Sequence, residues 1–493
     1  MTLSLPVSQY KISASSFYNY SKCHRRVYLD LYGNPDEKGE HSDFLELLWE
    51  QGIQVERRIV DAMREQQPID IVEGKASAET FDKTLSLMKN SAPLIYQGVL
   101  IHQDIIGRPD LLERVDGKSG FGDYYYIPCD IKSGRATKSA EAEDIKEHYT
   151  NQVLLYAELL EKIQGRRPHV GKIIDAEGQV TVFEVGDYSD AYEETKAAIH
   201  AIVYQKDEPE PIIGSVCKEC VWQKPCLKWA EDRQDLSLLS HLNKQKYQLR
   251  ERGITTMEDL SRINVSEFLL PPNKIKGAGE TTLIQWKRRA QVWLSGKPLV
   301  FAMPKFRQAR REIFYDIEDD PSSDHVYLHG FIKREGAQKG AFQYFLANGP
   351  EEEQRAAREL WSYVESLGEE DVIYHYGSYE KGKMDRLQEK YGLPAETVEK
   401  FGRLRVDLYQ IVKKSSDWPL SSYGIKPIAK YLGFRWSSED ASGANSIAWY
   451  ADYRENPANK ELLQKILTYN REDCEAMMVV KDWLQSQEHS TEK

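Results

Sequence analysis

Charged residues spaced two apart occur inside two strand-like runs, YYYIPCDIKSG at 124–134 and FYDIEDDP at 314–321, and no other feature restricts the fold of this chain as much. Side chains alternate along a strand, so Asp130 and Lys132 share one face, and Asp316 and Glu318 share a face of another strand. Each run sits in its own alternation of strand-like and helix-like segments. HYTNQVLLYAELLEKI (148–163) carries apolar residues at helical spacing after the first run, and strands and helices alternate again from the second run onward. A chain of 493 residues is too long for one ordinary core. The expected architecture is multidomain α/β: residues 1–235, a middle block of short helices broken at Gly and Pro-Pro over 236–300, and residues 301–493, with SGKPLVFAMPKF (295–306) as the linker. No internal repeat or low-complexity segment interrupts this order.

Composition narrows the class. Hydrophobic residues make up 41% and charged residues 29%, as in globular proteins. No apolar run approaches the ~18 residues of a membrane span, and MTLSLPVSQYKISASS has no signal-peptide core, so a soluble, cytoplasmic protein with no membrane partner is expected. Six cysteines are too few for a secreted disulfide scaffold of this length. Three of them, Cys217, Cys220 and Cys226, lie within CKECVWQKPC, which favours metal binding. Thiolate ligation suits an iron–sulfur cluster or zinc, and spacing alone leaves both open. Cys129 and Cys474 fall outside the pattern and read as small core hydrophobes. The net charge is −12, yet residues 241–312 hold 15 Lys+Arg against 6 Asp+Glu, a basic band between acidic blocks. Such a band is either a nucleic-acid contact or a solvated helical face.

Asp110 in GRPD and the Asp130/Lys132 pair form a set suited to phosphodiester hydrolysis. Carboxylates hold Mg²⁺ or Mn²⁺, the metal stabilises charge on phosphate oxygens, and an ammonium orients or helps deprotonate the attacking water. Glu56 lies upstream, and Gln152 and Tyr156 share a helix face downstream. This order resembles the RecB-type branch of the PD-(D/E)XK nuclease superfamily. A DxK triplet alone usually means a salt bridge; five elements in order carry the resemblance. The cysteines resemble those of iron–sulfur nucleases of this branch, in which one N-terminal and three C-terminal cysteines clamp a [4Fe–4S] cluster. The resemblance makes Cys23 the fourth ligand.

In the middle block, IKGAGETTLIQW resembles the hairpin of a helix-hairpin-helix module. Gly277 and Gly279 would let the backbone turn tightly and face a phosphate, with Lys276, Lys287, Arg288 and Arg289 contacting DNA without reading sequence. The plainer alternative is a helical linker whose glycines only cap helices.

In the last block, Asp316 and Glu318, then Glu380, then Tyr469 and Asp473 four apart on one helix face, resemble the three motifs of DEDD 3′–5′ exonucleases of RNase H-like fold. The resemblance implies two metals, with Tyr469 positioning the water. The second motif normally presents Asp, so Glu380 is a departure, and Asp385 and Asp407 are the next candidates, Asp407 reading more readily as a helix cap. His375 reads as a hydrogen-bonded structural residue, and the Trp and Tyr residues of 418–450 as core rather than base-stacking platforms.

The whole order resembles RecB-like nucleases with a YprB-type RNase H-like C-terminal domain. It implies a metal-dependent deoxyribonuclease of DNA repair, recombination or mobile-element processing, acting on single strands or duplex ends. An RNA-directed 3′ exonuclease and a nonenzymatic DNA-end scaffold are the competing readings. No Walker A motif is present, so unwinding would fall to a helicase partner.

Overall fold

The computed structural model describes residues 10–137, 144–242, 244–320, 324–438 and 442–488. The N-terminal stretch read for a signal core lies partly outside them. Two compact units divide the chain: Met1–His41 with Leu45–Cys226, and Ser42–Phe44 with Leu227–Lys493. Among the described residues, no helix is long and apolar enough to cross a membrane.

The first unit is built on a six-stranded sheet in the order Asp70–Ile71, Leu94–Tyr96, Leu111–Ser119, Gly122–Ile131, Val170–Ile174, Val180–Glu184. Leu111–Ser119 and Gly122–Ile131 form an antiparallel hairpin, and Gly122–Ile131 pairs in parallel with Val170–Ile174. A parallel pair needs a crossover. Helix Glu147–Gln164 supplies it, and ends at Gly165, whose φ of +69° suits the left-handed cap. Gly122–Ile131 is a central strand covered on both faces. Tyr126 enters the cluster under the helix, and Cys129 and Ile131 enter the opposite one with Val60 and Leu111. The helix lies close to the sheet because Gly171 yields space: a Cβ there would come within 2.4 Å of Val153 Cγ1. That fit places the Gln152 and Tyr156 face of the helix over the sheet.

The three clustered cysteines are stitched to the segment that follows Cys23. The Trp222 indole N–H donates to Asp30 Oδ1 at 2.8 Å, and the Gly39 N–H donates to the Val221 carbonyl at 2.8 Å. At Gly33 a Cβ would meet the Trp222 ring at 2.7 Å, so a larger residue there would displace the indole.

In the second unit a five-stranded sheet runs Gln338–Leu346, His325–Glu335, Arg311–Asp320, Asp371–His375, Arg405–Asp407. The first three strands are antiparallel, and the last two extend the sheet in parallel from Arg311–Asp320. The FYDIEDDP run thus occupies the middle strand, with Ile313, Phe314, Tyr315 and Ile317 buried. Helix Lys460–Glu488 packs against this strand and its neighbour His325–Glu335, burying Cys474. Trp418, Tyr423, Trp449 and Tyr450 are buried, so these aromatics of the 418–450 stretch are core.

The helices of residues 236–300 belong to this unit. Turns at Gly253 and Gly277, both with φ +80°, separate the short helices Gln245–Arg250 and Met257–Arg262 and precede Glu280–Ser295. Two of the residues expected at DNA make ion pairs within this unit. Arg289 is 2% exposed and donates through Nε to Asp417 Oδ1 at 2.9 Å and through Nη1 to the Ser240 carbonyl at 2.8 Å. Arg288 Nε reaches Asp417 Oδ2 at 2.5 Å. Asp417 is fully buried and needs counter-charge, which the buried Arg289 and the partly exposed Arg288 supply. Lys287 is also engaged, donating to the Ile263 carbonyl at 2.8 Å. The 295–306 segment is not a free linker either, since Leu299–Val300 pairs antiparallel with Ser416–Asp417.

Asp417→Ala removes the acceptor of both guanidiniums and strands Arg289 in the core. Breaking a buried pair from one side costs about 3–5 kcal/mol. The unfolding transition of the second unit should fall sharply in scanning calorimetry, and Asp417→Ala combined with Arg289→Met should recover part of the loss. An unchanged transition in the single variant would refute this account.

Candidate active sites

In the first unit, the end of strand Gly122–Ile131 presents Asp130, 2% exposed, and two residues on, Lys132. Lys132 Nζ ion-pairs with Asp130 and donates to Gln152 Oε1 at 2.8 Å. Asp110 Oδ2 accepts from the Ile131 N–H at 2.7 Å, which fixes it beside Asp130. Burial, then Asp130 and Glu56, push the Asp110 carboxyl well above its usual range. Burial opposes charge on Lys132, but Asp130 and Asp110 outweigh it and raise the ammonium. Tyr156 is buried against Gly107, where a Cβ would meet its ring at 2.8 Å. Burial, with Asp130 and Asp110 adding to it, drives its phenol up.

Sequence reasoning missed Gln97. Its side-chain amide donates to Glu56 and, at 3.0 Å, to Asp110 Oδ1, bridging the helical and strand carboxylates. Its backbone sits at φ +58°, and its N–H donates to the Asp110 carbonyl at 2.8 Å. A non-glycine residue in that region is often held there by a functional site. No pattern in the local sequence YQGV marks it.

In the second unit, Asp316 and Glu318 from one face of the central strand meet Asp473 from helix Lys460–Glu488. One ligand atom from each lies within 4.8 Å of the others, and among the described residues no other group of three or more His, Cys, Asp and Glu does so. Glu318 and Asp473 are 5% and 7% exposed. Burial first, then neighbouring carboxylates, push Asp316 well above the usual range and Glu318 up to about 8; burial also raises Asp473. A buried group of like charges favours a bound cation, whether proton or metal. The carboxylates line a cavity of about 230 Å³ with Tyr469, Tyr379, Asp319 and Gly443.

Expected residues divide around this triad. Tyr469 is 6% exposed, and burial, then Asp473, raises its phenol. Glu380 is 4% exposed and acts electrostatically on Asp316, but stands outside the 4.8 Å group; its Oε2 lies 3.5 Å from His375 Nδ1. The two alternatives are accounted for elsewhere. Asp407 caps helix Leu408–Ser415, accepting from Gln410 N–H at 3.3 Å and Gly377 N–H at 3.0 Å, and Asp385 pairs with Lys381 at 2.5 Å on the surface.

Several groups that orient the triad carried no sequence signal. Asn470 Nδ2 donates to Asp316 Oδ2 at 2.8 Å and Glu318 Oε1 at 3.3 Å. It enters only because residue 330 is glycine: a Cβ there would lie 1.7 Å from Asn470 Oδ1. The Trp436 indole donates to Asp473 Oδ1 at 2.8 Å. Lys426 Nζ stands 4.4 Å from the Tyr469 ring centroid. Burial lowers its ammonium although Asp473, Glu318 and Asp316 all favour the charge.

Cys23, Cys217, Cys220 and Cys226 are free thiols. Burial pushes Cys226 up to about 12, Arg25 opposes this, and Cys23, Cys220 and Cys217 add to it, so the four sit within electrostatic reach of one another. No three of their sulfurs lie within 4.8 Å of one another. In the hairpin, Lys276 is exposed, while its backbone N–H is taken by Gln248 Oε1 at 2.8 Å. Gly279 opens helix Glu280–Ser295 with no side-chain cap.

Residues 30–231 match a family model of the PD-(D/E)XK nuclease superfamily, and residues 313–485 match one of the RNase_H superfamily. A search of curated proteins returned no significant match. The molecule is therefore a mixed α/β, multidomain protein with an N-terminal PD-(D/E)XK domain and a C-terminal RNase H-like domain. Both domains are of nuclease type, which supports hydrolytic action on a nucleic acid.

Proposed function

We propose that this protein is a metal-dependent deoxyribonuclease with two catalytic centres, one of RecB-like type and one a DEDD-type exonuclease. The observation that carries it is the convergence of Asp316, Glu318 and Asp473 beside Tyr469 in a cavity of about 230 Å³. Bound Mg²⁺ or Mn²⁺ would polarise the phosphate and lower the pKa of a water. The protein's own groups do the rest. Asn470 and Trp436 hold the carboxylates in place, Glu380 supplies a further negative group, and Tyr469 offers a hydroxyl to orient the attacking water. At the other centre, Asp110 and Asp130 are the metal-holding carboxylates with Glu56 behind Gln97, and Lys132, steadied by Gln152, faces the nucleophile. Lys276, Gly277 and Gly279 would meet the DNA backbone at the start of helix Glu280–Ser295.

Cys23, Cys217, Cys220 and Cys226, within electrostatic reach of one another, would be the ligands of a [4Fe–4S] cluster, with zinc as the alternative.

The deciding experiment incubates anaerobically purified protein with end-labelled DNA and RNA of matched sequence, with Mn²⁺ or with EDTA. Metal-dependent release of nucleotides from DNA, faster than from RNA, is expected. RNA preference would replace this reading with an RNA-directed exonuclease, and no turnover on either would leave a binding protein.

A further inference from the structure

Tyr18 and Lys22 on helix Ala14–Lys22, and Lys146, His148 and Tyr149 at the start of helix Glu147–Gln164, form a mixed aromatic and cationic surface next to Lys132. The His148 ring packs edge-on to Tyr18 at 5.8 Å and to Tyr149 at 4.4 Å between centroids. Lys22 Nζ lies 5.1 Å from the Tyr18 ring, and both Lys132 and Lys146 lie 5.2 Å from the Tyr149 ring. Tyr18 is 39% exposed and Lys22 is exposed. Among the described residues, neither Lys22 nor Lys146 ion-pairs with a carboxylate; Lys146 Nζ donates to the Arg135 carbonyl at 2.8 Å.

A packing cluster would bury its rings and pair its charges. This one leaves the Tyr18 ring 39% exposed and gathers three ammoniums, of which Lys132 alone is ion-paired among the described residues. Burial, then Lys22, Lys132 and Lys146, lowers His148 to about 4, so at neutral pH it is an uncharged ring. An exposed ring flanked by cations that, among the described residues, have no carboxylate partner matches the needs of a flexible single strand, whose bases stack and whose phosphates seek ammoniums. A duplex cannot use the rings, because its bases are already stacked.

We propose that Tyr18, His148, Lys22 and Lys146 form a platform that seats a single-stranded nucleic acid and delivers its backbone to the Asp110/Asp130/Lys132 centre. Tyr18 stacks a base, and Lys22 and Lys146 hold flanking phosphates. The proposal rests on the nuclease reading of that centre for its purpose, but not for its binding chemistry.

The test measures binding of the full-length protein in EDTA by fluorescence anisotropy, with fluorescent dT and rU oligonucleotides of about 15 nucleotides, a dT strand carrying abasic sites, and a blunt duplex. Tyr18→Ala should weaken binding of the dT strand about tenfold and have no further effect on the abasic strand. Lys22→Gln and Lys146→Gln should each make the log–log salt dependence shallower by about 0.7, the single-strand value per phosphate contact. The duplex should be insensitive to Tyr18→Ala. Comparing dT with rU separates DNA from RNA as the strand seated. Equal effects of Tyr18→Ala on normal and abasic strands, or unchanged salt slopes, overturn the platform. Cleavage in Mn²⁺ is scored separately. A parent that cleaves while the variants bind and cleave like it sinks the platform alone, and a parent that binds as described yet cleaves nothing sinks the nuclease reading and leaves the platform standing.

Discussion

Asp316→Asn should abolish hydrolysis by the second unit and weaken Mn²⁺ binding there by more than about 100-fold, because losing even an outer-shell partner of a ligand costs about 10–100-fold. The loss should fall on function rather than folding, since Asp316, Glu318 and Asp473 repel one another and removing one charge relieves that repulsion. Glu380→Gln should be milder, as Glu380 lies outside the tight group, and Glu380→Asp should retain turnover where Gln reduces it. Isothermal titration with Mn²⁺ and single-turnover cleavage decide both. The same carboxylates set the pH dependence. Free Glu titrates near ~4.3, whereas Glu318 in the folded, metal-free protein is pushed up to about 8. Between these values the folded state holds a proton that the unfolded state has released, so metal-free stability falls as pH rises through this window. Mn²⁺ takes the proton's place, so binding should release protons and tighten from pH 6.5 to 8.5. Affinity independent of pH would contradict the assignment.

Lys132→Ala should lower cleavage at the first centre by about 10²–10⁴-fold, the range for a positioned proton-transfer group. It should leave exonucleolysis from the second unit intact, since the two sites share no ligand and effects at unlinked sites are nearly independent. Lys132→Arg should not rescue it. A planar guanidinium cannot reproduce the compact ammonium that contacts Asp130 and Gln152 together. The measurement is cleavage of an internally labelled circular single strand, which offers no end to an exonuclease, beside a linear one. Total loss on both substrates would mean one working centre.

The strand faces were legible because a period of two needs only local spacing, and both Asp130/Lys132 and Asp316/Glu318 project as that period requires. Tyr469 and Asp473 were legible for the same reason at helical spacing. Residues that act across the fold were not. Gln97 and Asn470 reach the carboxylates through tertiary approach, and Gly330 makes room for Asn470, which lies 140 positions later in the sequence. Charge counting could not see where two of the charges go, for a related reason. The basic band of 241–312 is real in composition, yet Arg288 and Arg289 spend their charge on Asp417, which no local pattern links to them.

That last contact bears on how such a chain can be cut and recombined. A protein made of separable modules tolerates fusion or truncation at its linkers, and residues 295–306 look like one. Here Leu299–Val300 pairs as a strand with Ser416–Asp417, and helix Glu280–Ser295 carries both counter-ions of Asp417. A fragment beginning at residue 301 would inherit the acid without its bases. The compact unit bearing the Asp316 centre takes in the helices from 227 onward, and a lineage that exchanged residues 301–493 alone would have to replace Asp417 in the same step.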